Sequence, residues 1–255
     1  MKLVKYLSRC EVDARRKCAD IIKEGNVTVN GITITNPMTD IDETCDSVKC
    51  NSKTVKINSS EKKLYVLFYK PEKCVTTLSD ELGRPTVMDY LKKIRGWKTL
   101  FPIGRLDYDT EGFLLLTNDG DYSQAVQHPS NEIIKIYQAK VKGVPSELEL
   151  AKLTKGIKVD GKSARCISAR LLKNLRANCW IELQIISGQN RVVRKICDYI
   201  QHSVLRLVRV GIGGFLLKDI RLKPGQFLIL NSIHKDLVFK NNTRDNLKKY
   251  EKIQT

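Results

Sequence analysis

The chain reads as α+β, with a small N-terminal α/β module followed by a larger domain built on a mostly antiparallel, mixed sheet with flanking helices. Three observations predict this. Helical spacing of apolar residues appears in a few short segments, strand-like alternation appears in more of them, and several neighbouring strand-like runs are close enough for hairpins. A doubly wound fold would alternate strand and helix throughout, and that rhythm is missing. At 255 residues the chain suits two unequal domains, and 42% hydrophobic against 29% charged residues supplies enough apolar surface for a core.

Residues 3–10 and 13–23 are predicted helices, the second opened by Asp13 as N-cap and closed by Gly25, with Ala14, Cys18, Ile21 and Ile22 on one face. Val27-Thr28-Val29 alternates into Asn30-Gly31, a hairpin signal, and short strands continue to Ile57. These elements form a module of residues 1–57. The polar run 58–63 reads as a linker. In the domain 64–233, strands are expected over 65–68, 112–116, 133–142, 164–172 and 180–186, then again up to Leu230. Helices are expected over 86–94, 122–127, 146–154 and 191–200. Residues 234–255 read as a basic tail, helical or loose.

Composition narrows the function classes. No apolar run approaches the roughly 18–20 residues a bilayer span needs, the longest obvious one being Phe113-Leu114-Leu115-Leu116. The N-terminus lacks an apolar h-region, and Glu11 and Asp13 argue against a transit peptide, so the chain is expected in the cytoplasm, away from membranes. The 45 basic and 28 acidic side chains leave a net charge of +17. Residues 1–60 hold ten basic and eight acidic side chains, whereas 188–223 hold eight and two. A concentrated positive field favours nucleic acid as partner, with a lysine-rich solubility surface as the plain alternative.

Eight cysteines are scattered without an export signal or a C-x-x-C pair, and His128, His202 and His234 stand far apart. Free thiols and no metal are expected. No G-x-x-x-x-G-K-[ST] occurs, and Val210-Gly211-Ile212-Gly213-Gly214 lacks the G-x-G-x-x-G spacing. That glycine cluster reads as a strand crossing or bulge, and no cofactor is expected.

The densest chemistry lies in 102–120, PIGRLDYDTEGFLLLTNDG, where charged residues form a loop between apolar runs. Taken alone, Asp107 beside Arg105 also fits a turn acid with a neighbouring cation. The segment resembles the GRLDxxTxGLLLLTNDG signature of the RsuA-type ribosomal RNA pseudouridine synthases, with Phe113 at a leucine position. KPEKCVTTLSDELGRPTVMDYL, residues 70–91, is similar to that family's first motif, with Lys73 at the customary glycine. SRCEVDARRKCADIIKEGNVTVNG resembles the small RNA-binding domain first described in a ribosomal small-subunit protein, with Glu11 at a common glycine. The matches cover most of residues 2–230.

The resemblance implies a pseudouridine synthase fold and an isomerisation of uridine to pseudouridine without cofactor or metal. It makes Asp107 the nucleophile, a role that suits a carboxylate, since aspartates are ordinarily ionised at neutral pH. SGQNRVVRK, residues 187–195, resembles the family's GRNRQVRR, with Gln189 and Val192 as departures, and this register makes Arg194 the cation that holds the nucleophile ionised and aimed. Helical spacing puts Arg191, Arg194 and Lys195 on one face and Val192, Val193, Ile196, Cys197 and Ile200 on the other. For Arg191 and Lys195, phosphate contact and a solvated basic face stay open side by side. Tyr137 falls where the family stacks an aromatic on the target base and where a hydroxyl is placed to take the ring proton; a core tyrosine is the alternative. Arg105 is expected to fill the gap left by an extruded base. Lys70 is expected to support the cleft or meet phosphate, or simply to pack on Pro71. In the module, Arg9, Arg15 and Arg16, with Lys2 and Lys5, form a basic face for RNA.

The expected partner is ribosomal RNA or a pre-ribosomal particle, bound by a monomer. The 209–230 segment slightly resembles enzymes of large-subunit RNA, with the small subunit still open. A non-catalytic RNA-binding or ribosome-assembly protein is the competing reading, and an RNA methyltransferase lacks its cofactor loop.

Overall fold

A computed structural model describes residues 1–57, 62–159, 161–164, 166–186, 188–189 and 191–240. The chain divides into two compact units, Met1–Lys62 and the remainder from Lys63. Residues 58–61 of the expected linker and 241–255 of the expected tail lie outside the described residues. Among the described residues no helix is long and apolar enough to cross a membrane.

The first unit comprises α1 (Leu3–Arg9), α2 (Arg15–Lys23), β1 (Val27–Val29), β2 (Ile32–Thr33), β3 (Val48–Cys50) and β4 (Lys53–Thr54). Leu3, Leu7, Cys18, Ile22, Val27 and Val48 form its core, which is why both helices carry apolar residues at three- and four-residue spacing. Asn30 and Gly31 both take positive φ, 51° and 83°, the geometry a two-residue hairpin turn requires. The β1–β2 hairpin belongs to a sheet of order β2-β1-β3-β4. α2 starts at Arg15 with Ala14 as its N-cap, one residue later than the sequence suggests. The Asp13 carboxylate accepts from the Ala14 N–H at 2.6 Å and lies 3.9 Å from the Lys17 ammonium, and it does not cap the amides further into the turn. Ala14 is exposed, so the apolar face narrows to Cys18 and Ile22 with Ile21 half-buried.

The second unit opens with β5 (Tyr65–Lys70), β6 (Phe101–Pro102), β7 (Thr110–Thr117), α3 (Gly120–Gln127) and β8 (Lys135–Lys142). It continues with α4 (Glu147–Lys155), β9 (Ile157–Val159), β10 (Lys162–Ala164), β11 (Cys166–Asn174), β12 (Asn178–Ile185) and α5 (Val192–Tyr199). β13 (Val204–Ile212), β14 (Phe215–Leu216), β15 (Phe227–Ile229) and α6 (Ser232–Val238) complete it. Nine strands form one sheet in the order β11-β12-β8-β13-β7-β5-β15, with β14 on β13 and β6 on β7. Among its described ladders β7–β13 is parallel and the others are antiparallel, the α+β arrangement expected.

β7 is buried along its whole length, which explains a continuous apolar run where a one-faced strand would alternate. Phe113 and Leu115 enter one core with Ile103, Val126 and Phe215, while Leu114 and Leu116 enter the other with Phe68, Met88 and Leu91. At the parallel seam Gly112 has φ +106°, and a Cβ there would lie 2.2 Å from the Arg209 carbonyl oxygen, so only glycine lets the two strands meet. The glycine cluster near residue 213 has the same kind of cause: it turns β13 into β14, where a Cβ on Gly213 would strike the Val238 carbonyl of α6.

One predicted helix is replaced. Residues 86–94 hold a single 3₁₀ turn, Val87–Tyr90, closed by a reciprocal Thr86–Asp89 capping box. The Val87 N–H pairs with the Val75 carbonyl at 3.0 Å, and the chain reverses at Gly96 in the left-handed region, so no room remains for further α turns. Val87, Met88, Leu91 and Ile94 are buried nonetheless, so the apolar spacing reported burial correctly and helix type incorrectly.

Candidate active site

The loop carrying Asp107 joins β6 to β7, and side chains from distant segments hold its backbone. Thr76 Oγ donates to the Leu106 carbonyl at 2.7 Å and accepts from the Leu106 N–H at 3.3 Å. The Lys73 N–H donates to the Tyr108 carbonyl at 2.8 Å. Lys70 Nζ donates to the Thr110 carbonyl at 2.8 Å and the Pro71 carbonyl at 3.1 Å. Arg194 Nη2 donates to the Asp109 carbonyl at 3.1 Å and meets its carboxylate at 2.9 Å, while Nη1 reaches the Val204 carbonyl at 3.2 Å. Residues 70–76 and α5 therefore brace successive residues of the loop, which explains why both segments accompany it in the sequence pattern.

These contacts alter two expectations. Lys70 is 0% exposed, so it cannot touch RNA phosphate; it is an internal strut, and burial pulls its ammonium down to about 8. Arg194 pairs with Asp109, not with Asp107. The cation nearest the Asp107 carboxylate is Arg191, at 4.0 Å, which also lies 3.6 Å from Asp109. The cause is local: Arg191 stands just before α5 with φ +52°, off the helical face assigned to it, whereas Arg194 is one turn deeper and 12% exposed in its side chain. Ser187 and Asn190 of the same motif lie outside the described residues.

Asp107, Arg105, Tyr137 and Arg191 line one cavity of about 860 Å³, together with apolar walls from Ile103, Val126, Ile133, Val192 and Ile212. The Asp107 side chain is 29% exposed, open enough to meet a ligand and enclosed enough to escape full hydration. Arg194, Lys70 and Lys195 are not in that lining. Arg15 and Arg16 are exposed on the first turn of α2, and Arg9 lies 3.6 Å from Glu43. His128 borders the cavity, with Nδ1 2.7 Å from Ser130 Oγ. Among the described residues no three His, Cys, Asp or Glu side chains converge as metal ligands.

Sequence reasoning passed over two cavity residues. Lys135 Nζ donates to the Ile186 carbonyl at 3.0 Å, and burial, then the neighbouring Arg209, pull its ammonium down to about 8. Arg209 is 4% exposed; its Nε donates to the Phe113 carbonyl at 2.7 Å, and its Nη2 has no hydrogen-bond partner among the described residues. Only one of the two left a signal in the sequence: Lys135 precedes Tyr137 by two on an alternating strand, whereas the place of Arg209 opposite Tyr137 follows from the β8–β13 pairing.

A braced loop presenting a carboxylate to a cavity of this kind, on a mostly antiparallel sheet, has relatives. The family model described as RNA pseudouridylate synthase matches residues 64–199, and the S4 domain model matches residues 1–44. Ribosomal large subunit pseudouridine synthase B of Bacillus subtilis is 39% identical over 210 residues, covering 82% of this chain and 84% of its own. An uncharacterized RNA pseudouridine synthase of Rickettsia felis is 35% identical over 231 residues, with 91% and 97% covered. A crystal structure of a pseudouridylate synthase shares the fold at a TM-score of 0.65 and 23% identity, over 93% of this chain and 99% of that one. The chain belongs to the RNA pseudouridylate synthase family. It is an isomerase of RNA uridines, with an RNA-binding S4 domain preceding its synthase domain, and the resemblance read from residues 70–91 and 102–120 holds.

Proposed function

We propose that this chain converts a specific uridine of ribosomal RNA, in the large subunit in preference to the small, into pseudouridine, with Asp107 as nucleophile and the target base swung out of its stack. The name of the Bacillus subtilis relative supports the choice of RNA. The observation that carries the chemistry is the Asp107 carboxylate lining the same cavity as Tyr137 and Arg191. In this reading the carboxylate attacks the ribose or the uracil ring, the uracil turns, and a carbon–carbon glycosidic bond replaces the carbon–nitrogen one. Tyr137 stacks on the base and takes the proton from the ring carbon newly bonded to ribose. Arg191 supplies the cation beside the nucleophile, while Arg194 positions the loop through Asp109. Exposed Arg105 fills the place of the extruded base.

Residues 1–57 grip RNA, 58–63 link, 64–233 catalyse and 234–255 add a basic tail, whose first residues continue α6 and pack on the synthase core through Val238. Arg15 and Arg16 oppose the dipole at the start of α2, an arrangement that costs helix stability and becomes useful when a phosphate arrives. Arg9 and Lys195 add further phosphate contacts. The enzyme works as a cytoplasmic monomer on ribosomal RNA or pre-ribosomal particles. Asp107→Asn should abolish tritium release from ribosomal RNA labelled at uracil C5 while RNA affinity survives. Persisting release would remove Asp107 from the role.

A further inference from the structure

The cavity holds two cations that the preceding chemistry does not employ. Arg209 on β13 pairs in register with Tyr137 on β8, and Lys135 lies two residues before Tyr137, so the three side chains share one face of the sheet. All three line the cavity. Among the described residues neither cation is ion-paired: Lys135 gives one proton to the Ile186 carbonyl, Arg209 gives its Nε proton to the Phe113 carbonyl, and Arg209 Nη2 is left without a partner. A buried guanidinium with a half-buried ammonium on the same face is unfavourable on two counts, desolvation and mutual repulsion, unless negative charge arrives near them. The repulsion is visible in Lys135, whose ammonium is lowered both by burial and by Arg209.

We propose that Arg209 and Lys135 form an oxyanion site for the uracil ring of the target nucleotide, donating to its carbonyl oxygens while the ring carries negative charge. The proposal deepens the uridine-isomerising reading and rests on it. Charge reaches those oxygens by either route open to Asp107. Attack on ribose C1′ forms a carbon–oxygen bond as the C1′–N1 bond breaks, and the electron pair stays with the uracil, spread over N1, O2 and O4. Attack on C6 forms a carbon–oxygen bond and opens the C5–C6 double bond, whose pair moves through C4 onto O4; the C1′–N1 bond then breaks, leaving its pair on N1. In both cases the charge is discharged later, when C5 bonds to C1′, the carboxylate departs, C5 gives up its proton and N1 gains one. Donors already desolvated and fixed stabilise such charge without reorganising.

A ring, not a phosphate, fits this pair. Arg105 and Arg191 are exposed and already engaged at the place of the extruded base and beside Asp107, whereas Arg209 is 4% exposed among apolar walls from Ile133, Leu207 and Ile212, a setting that does not suit a hydrated phosphate. A flat base entering first brings its carbonyls to the buried pair.

The test uses the full chain and its Arg209→Gln and Lys135→Met variants, each checked for an unchanged circular dichroism spectrum; if one fails to fold, the other carries the experiment. Equilibrium dialysis compares uracil with 5-nitrouracil, whose nitro group leaves the ring largely ionised near neutral pH. The native chain should prefer the anion by roughly tenfold or more, and each variant should lose most of that preference, the size expected of hydrogen bonds to a charged group. This readout needs no turnover, so an enzyme inactive on ribosomal RNA would retire the proposed function and leave the oxyanion site to be judged separately. In single-turnover tritium release each variant should show a rate constant lowered by about tenfold to a hundredfold with RNA affinity and its salt dependence unchanged. No preference for the anion in the native chain would overturn the proposal, as would a preference both variants keep. A weakened RNA affinity with a shallower salt slope and an intact rate would equally overturn it, by assigning the pair to phosphate.

Discussion

At the scale of single residues, Lys70 does its work from inside the protein. Its hydrogen bonds to the Thr110 and Pro71 carbonyls tie the end of β5 to the start of β7, and replacing it with methionine would leave both carbonyls short of a donor. Lys70→Met should therefore destabilise the fold by about 1–3 kcal/mol, read from urea unfolding. The cost should depend on pH. The folded ammonium gives up its proton near 8, the unfolded one near 10.4, so between those values the unfolded chain binds more protons and this side chain adds stability as pH rises. The advantage of the native chain over Lys70→Met should thus be constant below about pH 8 and widen towards pH 10. A gap that narrowed over this range would mean that the ammonium stays charged when folded. In the sequence, cleft support, phosphate contact and packing on Pro71 stayed open side by side for Lys70; the burial that removes the phosphate alternative was not legible, because only the strand order around β7 encloses the side chain.

Two turns hold a side chain in the left-handed region at positions where the motifs they resemble carry glycine. Glu11, between α1 and α2, has φ +57°, and Lys73, in the turn after β5, has φ +59°. A side chain in the left-handed region costs about 1–2 kcal/mol, part of which glycine returns through the greater freedom of its unfolded chain. Lys73→Gly and Glu11→Gly should each raise the stability of the unit that holds it by up to about 1 kcal/mol, measured by denaturant unfolding, and a loss at either site would show that the side chain makes a compensating contact. The family motifs were informative here even where the residue differed, since both positions take the left-handed φ that glycine favours. The opposite happened at the start of α5. Helical spacing placed Arg191 beside Arg194, but one residue in the left-handed region swung it towards Asp107, a choice of backbone that periodicity does not encode. Likewise the 87–90 turn kept the apolar pattern of a helix while tertiary pairing with Val75 limited its length.

At the scale of the whole molecule, the positive charge of the chain has two described concentrations with different prospects of being read from sequence. The arginines of α2 stand exposed and adjacent, and Arg15→Ala with Arg16→Ala should lower the slope of log affinity against log salt by roughly 1.4 for single-stranded target RNA, about 0.7 for each phosphate no longer neutralised. An unchanged slope would exclude both from the phosphate interface. The 188–223 excess was legible as a sum, yet it divides physically into unlike parts: Arg191 faces the cavity, Arg194 anchors a loop, Arg206 is bound bidentately by Glu111, and Arg209 is interred. Strand and helix positions, and the identity of the loop that presents Asp107, followed from periodicity and motif; the partition of cations did not, because it depends on which strands become neighbours. The parallel seam of β7 against β13 joins the segment that carries Asp107 to one that ends a hundred residues later, through a glycine that lets the two backbones touch. During synthesis the carboxylate leaves the ribosome long before the strand that completes its surroundings, so the cavity around Asp107 takes shape only once β13 has docked.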